Sequence, residues 1–231
     1  MVEARRSKLA ALKGLFGPRF RRIQRQLAVR VFDRGGLDTV EPASIEDLGL
    51  GEHMHPYKAS GRFFLRRALR AYEIGPADVF VDLGSGKGRI VCLAARYPFA
   101  RVIGVELSGE LSRIAQHNLE TRRQRLACQR VELVTADLTA YEIPDDATFL
   151  YMFNPVDGPL FSAMLANIIA SLDRRPRALR LIYVAPAEAA QIEASGRFRL
   201  VRASRGIRLD LPPSLLVYEA LPPAAGTLPP R

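Results

Sequence analysis

The stretch "DLGSGKG" at residues 82–88 follows an apolar run and places three glycines where a ligand could reach the main chain. Glycine suits such a turn because it tolerates positive φ and carries no Cβ. A mononucleotide P-loop needs Ser or Thr directly after Gly-Lys, and Gly88 stands there instead. The dinucleotide fingerprint G-x-G-x-x-G needs one more residue between Gly86 and Gly88. Asp82 would repel a pyrophosphate at this turn, so the stretch favours a ligand that carries positive charge.

Three further polar side chains stand at the ends of apolar runs. Glu106 ends "RVIGVE", and its carboxylate could accept hydrogen bonds from both hydroxyls of a ribose, each contributing about 1.5–3 kcal/mol. Nicotinamide enzymes also place an acid here, so Glu106 predicts a ribose-bearing ligand without choosing between cofactors. Asp137 ends "VELVTAD", and Asn154 ends "TFLYMFN". The alternatives are a tight turn without a ligand, a Glu106 that is only a solvated residue at a strand end, and an Asp137 that only caps the segment after it.

These residues need a sheet whose strands end at one edge, and the alternation of the chain predicts one. Apolar strand-like runs alternate with helical stretches, which is typical of a parallel sheet covered on both faces. The last two strands have no helix between them and should pair as an antiparallel edge hairpin. The predicted strands are 78–83, 101–106, 130–135, 147–153, 178–184, 197–204 and 214–221, and the predicted helices are 60–74, 87–97, 108–125, 158–174 and 186–195.

The glycine-rich turn resembles the first motif of class I S-adenosylmethionine-dependent methyltransferases. The resemblance implies an α/β fold with a doubly wound, seven-stranded Rossmann-like sheet of order 3-2-1-4-5-7-6, and S-adenosyl-L-methionine as cofactor. It implies that Asp82 lies near the cofactor's ammonium group, that Glu106 binds the ribose, and that Asp137 and the N–H of Leu138 meet the adenine. The cofactor-binding residues expected from it are Asp82, Gly84, Ser85, Gly86, Gly88, Glu106, Asp137 and Leu138.

The dipeptide Asn154-Pro155 resembles the start of the N-P-P-aromatic motif of amine and amide N-methyltransferases. In those enzymes the Asn orients the acceptor nitrogen, so the resemblance makes Asn154 a catalytic candidate. Val156 and Asp157 depart from the motif. Because of this departure, the motif does not establish that the acceptor is a planar amine. The alternative is that Asn154 only caps the chain locally where Pro155 turns it off the strand.

A wider set of stretches resembles a bacterial group of class I methyltransferases whose substrates are unassigned, and more loosely protein-lysine methyltransferases. By the lysine analogy, Tyr57 is a second catalytic candidate that lies over the cofactor site, with a packed loop aromatic as the alternative. The stretches are "FDRGGLDTV", "HPYKAS", "DLGSGKGR", "GVELS" and "YMFNPV".

The net charge of +10 is concentrated near the start of the chain, where residues 5–30 carry nine basic side chains and no acid. Apolar residues at helical spacing after Pro18 predict a basic amphipathic helix. Such a helix either binds an anionic partner, namely RNA, an acidic protein or anionic lipid, or packs on the domain with its arginines in solvent. The predicted organisation is a basic helical extension and loop at 1–60, a methyltransferase domain at 61–221, and a proline-rich disordered tail at 222–231.

The remaining composition predicts a cytoplasmic protein that binds no metal. No uncharged apolar run is long enough to span a membrane, and the arginine-rich N-terminus does not read as a secretory signal. Cys92 and Cys128 have no partner motif and are predicted to be buried thiols. His53 and His55 are predicted to be loop residues, because few further ligands lie near them.

The sequence leads to a methyltransferase whose acceptor is unidentified: a nitrogen of protein lysine, another macromolecule such as RNA, or a small molecule. Two rival functions remain at this point. One is an interaction module that holds the S-adenosyl ligand without turnover. The other is a nicotinamide-dependent oxidoreductase, which the glycine spacing and Asp82 disfavour.

Overall fold

The computed structural model describes residues 38–39, 54–55, 57–204 and 214–222. The chain divides into two compact units, Met1–Glu41 and Pro42–Arg231, and the helices and strands named below belong to the second. No helix within the described ranges is long and apolar enough to cross a membrane. The predicted basic helix after Pro18, His53 and most of the predicted tail lie outside those ranges. The predicted domain limits at 60 and 221 stay predictions.

The second unit alternates strands and helices along the described chain, as the sequence predicts. Its elements are α1 Arg62–Leu69, β1 Val79–Leu83, α2 Arg89–Ala94, β2 Arg101–Glu106, α3 Gly109–Arg122, a 3₁₀ turn Arg123–Arg125, β3 Val131–Thr135, β4 Phe149–Phe153, α4 Gly158–Arg174, β5 Arg180–Val184, α5 Ala189–Ala194, β6 Phe198–Ser204 and β7 Leu215–Ala220.

The seven strands form one sheet of order β3-β2-β1-β4-β5-β7-β6, which confirms the predicted fold. The first five strands are parallel, and β7 pairs antiparallel with both β5 and β6. The winding reverses at β1, whose neighbours are β2 on one side and β4 on the other. In open α/β sheets, ligands bind outside the carboxyl ends of the strands at such a reversal.

The core lies on both faces of the sheet, and the alternation of side chains along β1 separates the two layers. Val79, Val81 and Leu83 belong to the layer that includes the buried face of α4. Phe80 belongs to the layer that includes α1 and α2. Successive strand residues point to opposite faces, so Asp82 lies on the same face as Phe80. Both cysteines are buried and unpaired.

Two helices begin later than predicted, and the residue before each helix gives the reason. Gly88, the residue before α2, has φ +74°, so the helix starts at Arg89 rather than at residue 87. The residue before α3 is Ser108, whose hydroxyl accepts a hydrogen bond of 3.3 Å from the N–H of Leu111. This contact is an ordinary N-cap, since it satisfies a donor that the helix leaves unpaired.

Candidate functional site

A cavity of about 420 Å³ opens at the carboxyl ends of the parallel strands, beside the reversal at β1. The structure brings nine of the ten predicted site residues to its walls. They are Tyr57, Asp82, Gly84, Ser85, Gly86, Glu106, Asp137, Leu138 and Asn154. The tenth, Gly88, lies behind the turn, where a Cβ would come within 2.9 Å of the Ala115 side chain on α3.

The glycines of the turn are required by what packs against them. Gly84 has φ +79°, and a Cβ there would lie 2.7 Å from Cβ of Pro155. Gly86 has φ +53°, and a Cβ there would overlap the ring of Tyr57. Both positions combine a left-handed backbone with a close approach, which only glycine accommodates without strain. The turn is therefore enclosed by residues from the two segments that carry the catalytic candidates.

Glu106 holds the turn in place from the end of β2. Its Oε2 accepts a hydrogen bond of 2.8 Å from the N–H of Gly86, and its Oε1 accepts one of 2.9 Å from the N–H of Ser108. Burial raises the pKa of Glu106, while the N–H donors of Ser108, Gly86 and Leu107 oppose that rise. A carboxylate offers about four lone-pair sites, so each oxygen can accept a further hydrogen bond from a ligand.

Asp82 is a buried acid at the reversal point, and only 3% of it is exposed. Burial, and secondly the negative charge of Glu106, raise the pKa of Asp82 well above its ordinary value. A positively charged ligand group would offset both effects by stabilising the carboxylate. The environment of Asp82 therefore fits the cationic ligand that the sequence predicts, and Asp82 would repel a diphosphate placed beside it.

Ser85 and Asp137 contribute in different ways to the walls of the cavity. The hydroxyl of Ser85 is buried and has no hydrogen-bond partner within the described residues. It lies over β2, since a Cβ on Gly104 would be 2.9 Å from it. Asp137 Oδ1 accepts hydrogen bonds of 2.8 Å from the N–H and the hydroxyl of Thr139. Asp137 thus caps the segment after β3, the local role that the sequence left open, and it also lines the cavity.

Asn154 follows β4 with φ +44°, and its amide is held on both sides. Its Oδ1 accepts a hydrogen bond of 2.7 Å from the hydroxyl of Tyr183, and its Nδ2 lies 3.2 Å from Nε2 of His55. The neighbouring strand β5 is followed by Ala185, which has φ +49° and also lines the cavity. Asn154 and Ala185 therefore both have a left-handed backbone, which residues other than glycine rarely adopt. Such strain at the ends of β4 and β5 marks this wall of the cavity as a candidate functional site.

Residues 54–55 and 57–60, here called the upstream segment, cross the carboxyl edge of the sheet. Met54 forms an isolated antiparallel bridge with Val156, and the hydroxyls of Ser60 and Tyr151 are hydrogen-bonded. Tyr57 covers Gly86, as the contact of its ring with the glycine shows. The upstream segment therefore touches both the turn after β1 and the segment after β4.

Sequence reasoning missed His55, Tyr151 and Tyr183, all of which contact the site. His55 lines the cavity, and its Nε2 lies 3.3 Å from Oδ2 of Asp157 as well as close to Asn154. No group of three or more metal-binding side chains exists within the described ranges. Alternation along β4 and β5 could have indicated that the two tyrosines point inward, but it carries no signal for their hydroxyl partners.

Comparisons with known proteins point to methyltransferases. Residues 58–148 match the model of the family "Histone methylation protein DOT1". A histone-lysine N-methyltransferase, H3 lysine-79 specific, from Caenorhabditis elegans is 57% identical over 44 residues, which are 19% of this chain and 5% of that protein. A protein-lysine N-methyltransferase from Saccharolobus islandicus is 30% identical over 99 residues, which are 42% of this chain and 59% of that protein. The chain thus spans less than two thirds of the length of either relative.

A solved structure with the same fold covers more of the chain. A candidate RNA methyltransferase from Pyrococcus horikoshii superposes with a TM-score of 0.52 at 14% identity, over 87% of this chain and 98% of that chain. At this identity the likeness concerns the fold alone. The second unit therefore has the class I fold of S-adenosylmethionine-dependent methyltransferases, and its residues 58–148 match a methyltransferase family model.

Proposed function

We propose that this protein transfers the methyl group of S-adenosylmethionine to a nitrogen of a macromolecular acceptor, and that the first candidate acceptor is a lysine side chain of a protein. One observation carries the proposal: Asp82, Glu106 and Asn154, from three adjacent strand ends, line one cavity. The family model over residues 58–148 and the two lysine-methylating relatives support the choice of lysine.

The residues around the turn have the chemistry that this cofactor needs. The buried carboxylate of Asp82 would pair with the ammonium group, and the main chain of Gly84 and Gly86 would lie against the methionine portion. The second lone pairs of Glu106 would accept the ribose hydroxyls. Asp137 and the N–H of Leu138, at the end of β3, would meet the adenine.

When bound, the cofactor supplies a methyl group attached to a positively charged sulfur, and that sulfur is a good leaving group. The chain's own residues then mainly have to align the acceptor and exclude water, and a strong general base is optional. Asn154 would orient the acceptor nitrogen, because its amide is fixed by Tyr183 and faces the cavity wall beside His55. Tyr57, packed on Gly86, would cover the cofactor and keep water from the turn.

The proposal is tested by incubating the full chain with radiolabelled S-adenosylmethionine and a cell lysate. We expect label that protease removes and that acid hydrolysis releases as methyllysine. Label that nuclease removes would overturn the lysine acceptor and retain methyl transfer. Binding of S-adenosylhomocysteine without label in any fraction would favour the rival binding module. Tighter binding of NADH than of S-adenosylhomocysteine would overturn the cofactor assignment.

A further inference from the structure

Residues 58–70 carry five cationic side chains and no acid. Four of the five recur every fourth residue and are exposed, and these four, here called the cationic row, are Lys58, Arg62, Arg66 and Arg70. Within α1 a step of four residues advances about 6 Å along the axis and stays near one face of the helix. Lys58 also lines the cavity. The cationic row therefore begins at the rim of the cavity and continues along α1.

An aromatic ring stands beside the cationic row. Phe63 is 62% exposed, more than the other large hydrophobic residues found exposed in the described ranges. Its ring centroid lies 5.8 Å from the guanidinium carbon of Arg67 and 6.1 Å from the ring centroid of Phe64. Arg67 is itself fixed, since its Nε donates a hydrogen bond of 2.7 Å to the Ser204 hydroxyl. The ring of Phe63 thus contacts Arg67 and Phe64, and most of it is exposed to solvent.

We propose that this face of α1 binds single-stranded nucleic acid, with phosphates along the cationic row and a base stacked on Phe63. Proteins that bind single strands without sequence preference combine a positively charged track for the backbone with an aromatic ring on which bases stack. The exposed face of α1 contains both parts within about two helical turns, and Lys58 and Arg70 extend the cationic row beyond the two ends of the helix. Its buried face, Leu65, Ala68 and Leu69, anchors the helix in the core and so fixes the track.

The same observations disfavour two other anionic partners. A helix that lies on an anionic membrane needs a broad apolar face for the lipid, whereas the remaining apolar side chains of α1 are buried or partly buried in the protein core. An acidic peptide would satisfy the arginines but would leave the ring of Phe63 without a stacking partner. Single-stranded nucleic acid uses both the charge and the ring.

The test measures binding of the full chain to a fluorescein-labelled oligouridylate of 20 nucleotides by fluorescence anisotropy, across a range of salt concentrations. Phe63→Leu keeps an apolar side chain and removes the ring, and we expect it to weaken binding about tenfold through lost base stacking. Arg66→Ala and Arg70→Ala should each reduce the slope of log Kd against log salt by about 0.7, the value of one phosphate contact on a single strand. Arg175→Ala is the matched control, because Arg175 is exposed after α4, at the end of the sheet away from the cavity.

Polyglutamate and phosphatidylserine vesicles serve as the competing ligands. The proposal is supported when Phe63→Leu weakens oligouridylate binding and leaves polyglutamate binding unchanged. It is overturned when Phe63→Leu weakens neither or weakens both equally, when Arg66→Ala and Arg175→Ala lower the salt slope equally, or when only the vesicle binding depends on Phe63. Circular dichroism confirms that each variant is folded.

The link to the cavity rests on the proposed function, since Lys58 lines the cavity and a protein carried on the bound strand would lie near the methyl-transfer site. The oligonucleotide assay needs neither cofactor nor turnover. Failure of S-adenosylhomocysteine binding with intact oligouridylate binding would therefore count against the proposed function alone. The reverse pattern would count against the nucleic acid surface alone.

Discussion

The hydroxyl of Tyr183 donates a hydrogen bond of 2.7 Å to Oδ1 of Asn154. Burial raises the pKa of Tyr183 to about 12, so the hydroxyl keeps its proton through the neutral range and remains a donor. The N–H of Glu188 donates a hydrogen bond of 3.2 Å to the same hydroxyl oxygen, so this hydroxyl both donates and accepts. The amide of Asn154 is therefore oriented by β5, and its NH₂ group is the side turned toward His55.

Tyr183→Phe should slow methyl transfer without weakening cofactor binding, because Asn154 would lose its orientation while the turn after β1 stays intact. We expect the initial rate of label incorporation to fall about tenfold, within the range expected when a positioning contact is lost. The dissociation constant of S-adenosylhomocysteine, measured by calorimetry, should be unchanged. Tyr218→Phe is the control, since Tyr218 is also a buried tyrosine whose hydroxyl bonds a side chain, Glu193, away from the cavity. Equal rates for the two variants would contradict the role of Tyr183.

Asp82→Asn should stabilise the free protein and weaken the cofactor complex. The folded-state pKa of Asp82 lies above its unfolded value, so the native state holds the proton longer, and stability is lost as pH rises from about 4 through the folded pKa. Asn does not ionise, so at neutral pH we expect the variant to melt higher, by about 3 °C for each kcal/mol recovered in a chain of this size. S-adenosylhomocysteine should bind at least about tenfold more weakly, because its ammonium group loses a charged partner.

The same assignment predicts that ligand binding releases a proton at any pH where the free protein still holds one on Asp82, that is, below its raised pKa. The ammonium group would favour the ionised carboxylate of Asp82, so affinity for S-adenosylhomocysteine should rise with pH in the wild-type protein. Calorimetry in two buffers of different ionisation enthalpy measures the proton count directly. Asp82→Asn should abolish the release. A release that persists in the variant would assign the proton to another group.

Glu106→Ala should weaken S-adenosylhomocysteine binding about 10–100-fold and should also lower Tm. The first effect follows from the proposed bonds to the ribose, and the second from the N–H groups of Gly86 and Ser108, which lose their acceptor. Glu132→Ala is the matched control, because Glu132 lies in the neighbouring strand β3 and pairs with Arg101 and Arg130 at the surface. Unchanged affinity in Glu106→Ala would remove Glu106 from the binding site.

Gly86→Ala tests the packing of Tyr57 on the turn. The added methyl group would overlap the Tyr57 ring. Alanine would also be strained by the backbone φ of +53° at this position, so we expect cofactor binding to be lost. In the Tyr57→Ala background the overlap disappears and only the backbone strain remains, so the two substitutions should be non-additive. Gly75→Ala, where a Cβ meets nothing within 4 Å, should leave binding unchanged. Additive effects of Gly86→Ala and Tyr57→Ala would mean that the two residues are not in contact when the ligand is bound.

The strands could be predicted from the sequence because each is a short apolar run bounded by turn residues, which is a local signal. The strand order came from the resemblance to class I methyltransferases, and that order places β1 beside β4, so Asp82 and Asn154 were expected to face one cleft. The predicted strand 101–106 matches β2 at both ends.

The polar contacts around the site could not be predicted, because they join distant parts of the chain. His55 meets Asn154 across 99 positions, and Ser60 meets Tyr151 across 91. No periodicity encodes which histidine of a loop lies against a strand end. In the sequence, His55 therefore resembled an ordinary loop residue. The bridge between Met54 and Val156 likewise left no signal in the sequence.

That bridge has a mechanical consequence. Met54 is attached beside the wall where the acceptor would enter, and Tyr57, three residues later, rests on the turn that would hold the cofactor. Three residues span at most about 11 Å, so the tether has little slack. We therefore expect that displacing Tyr57 would also disturb the bridge to Val156, which would link the cofactor side of the cavity to the acceptor side.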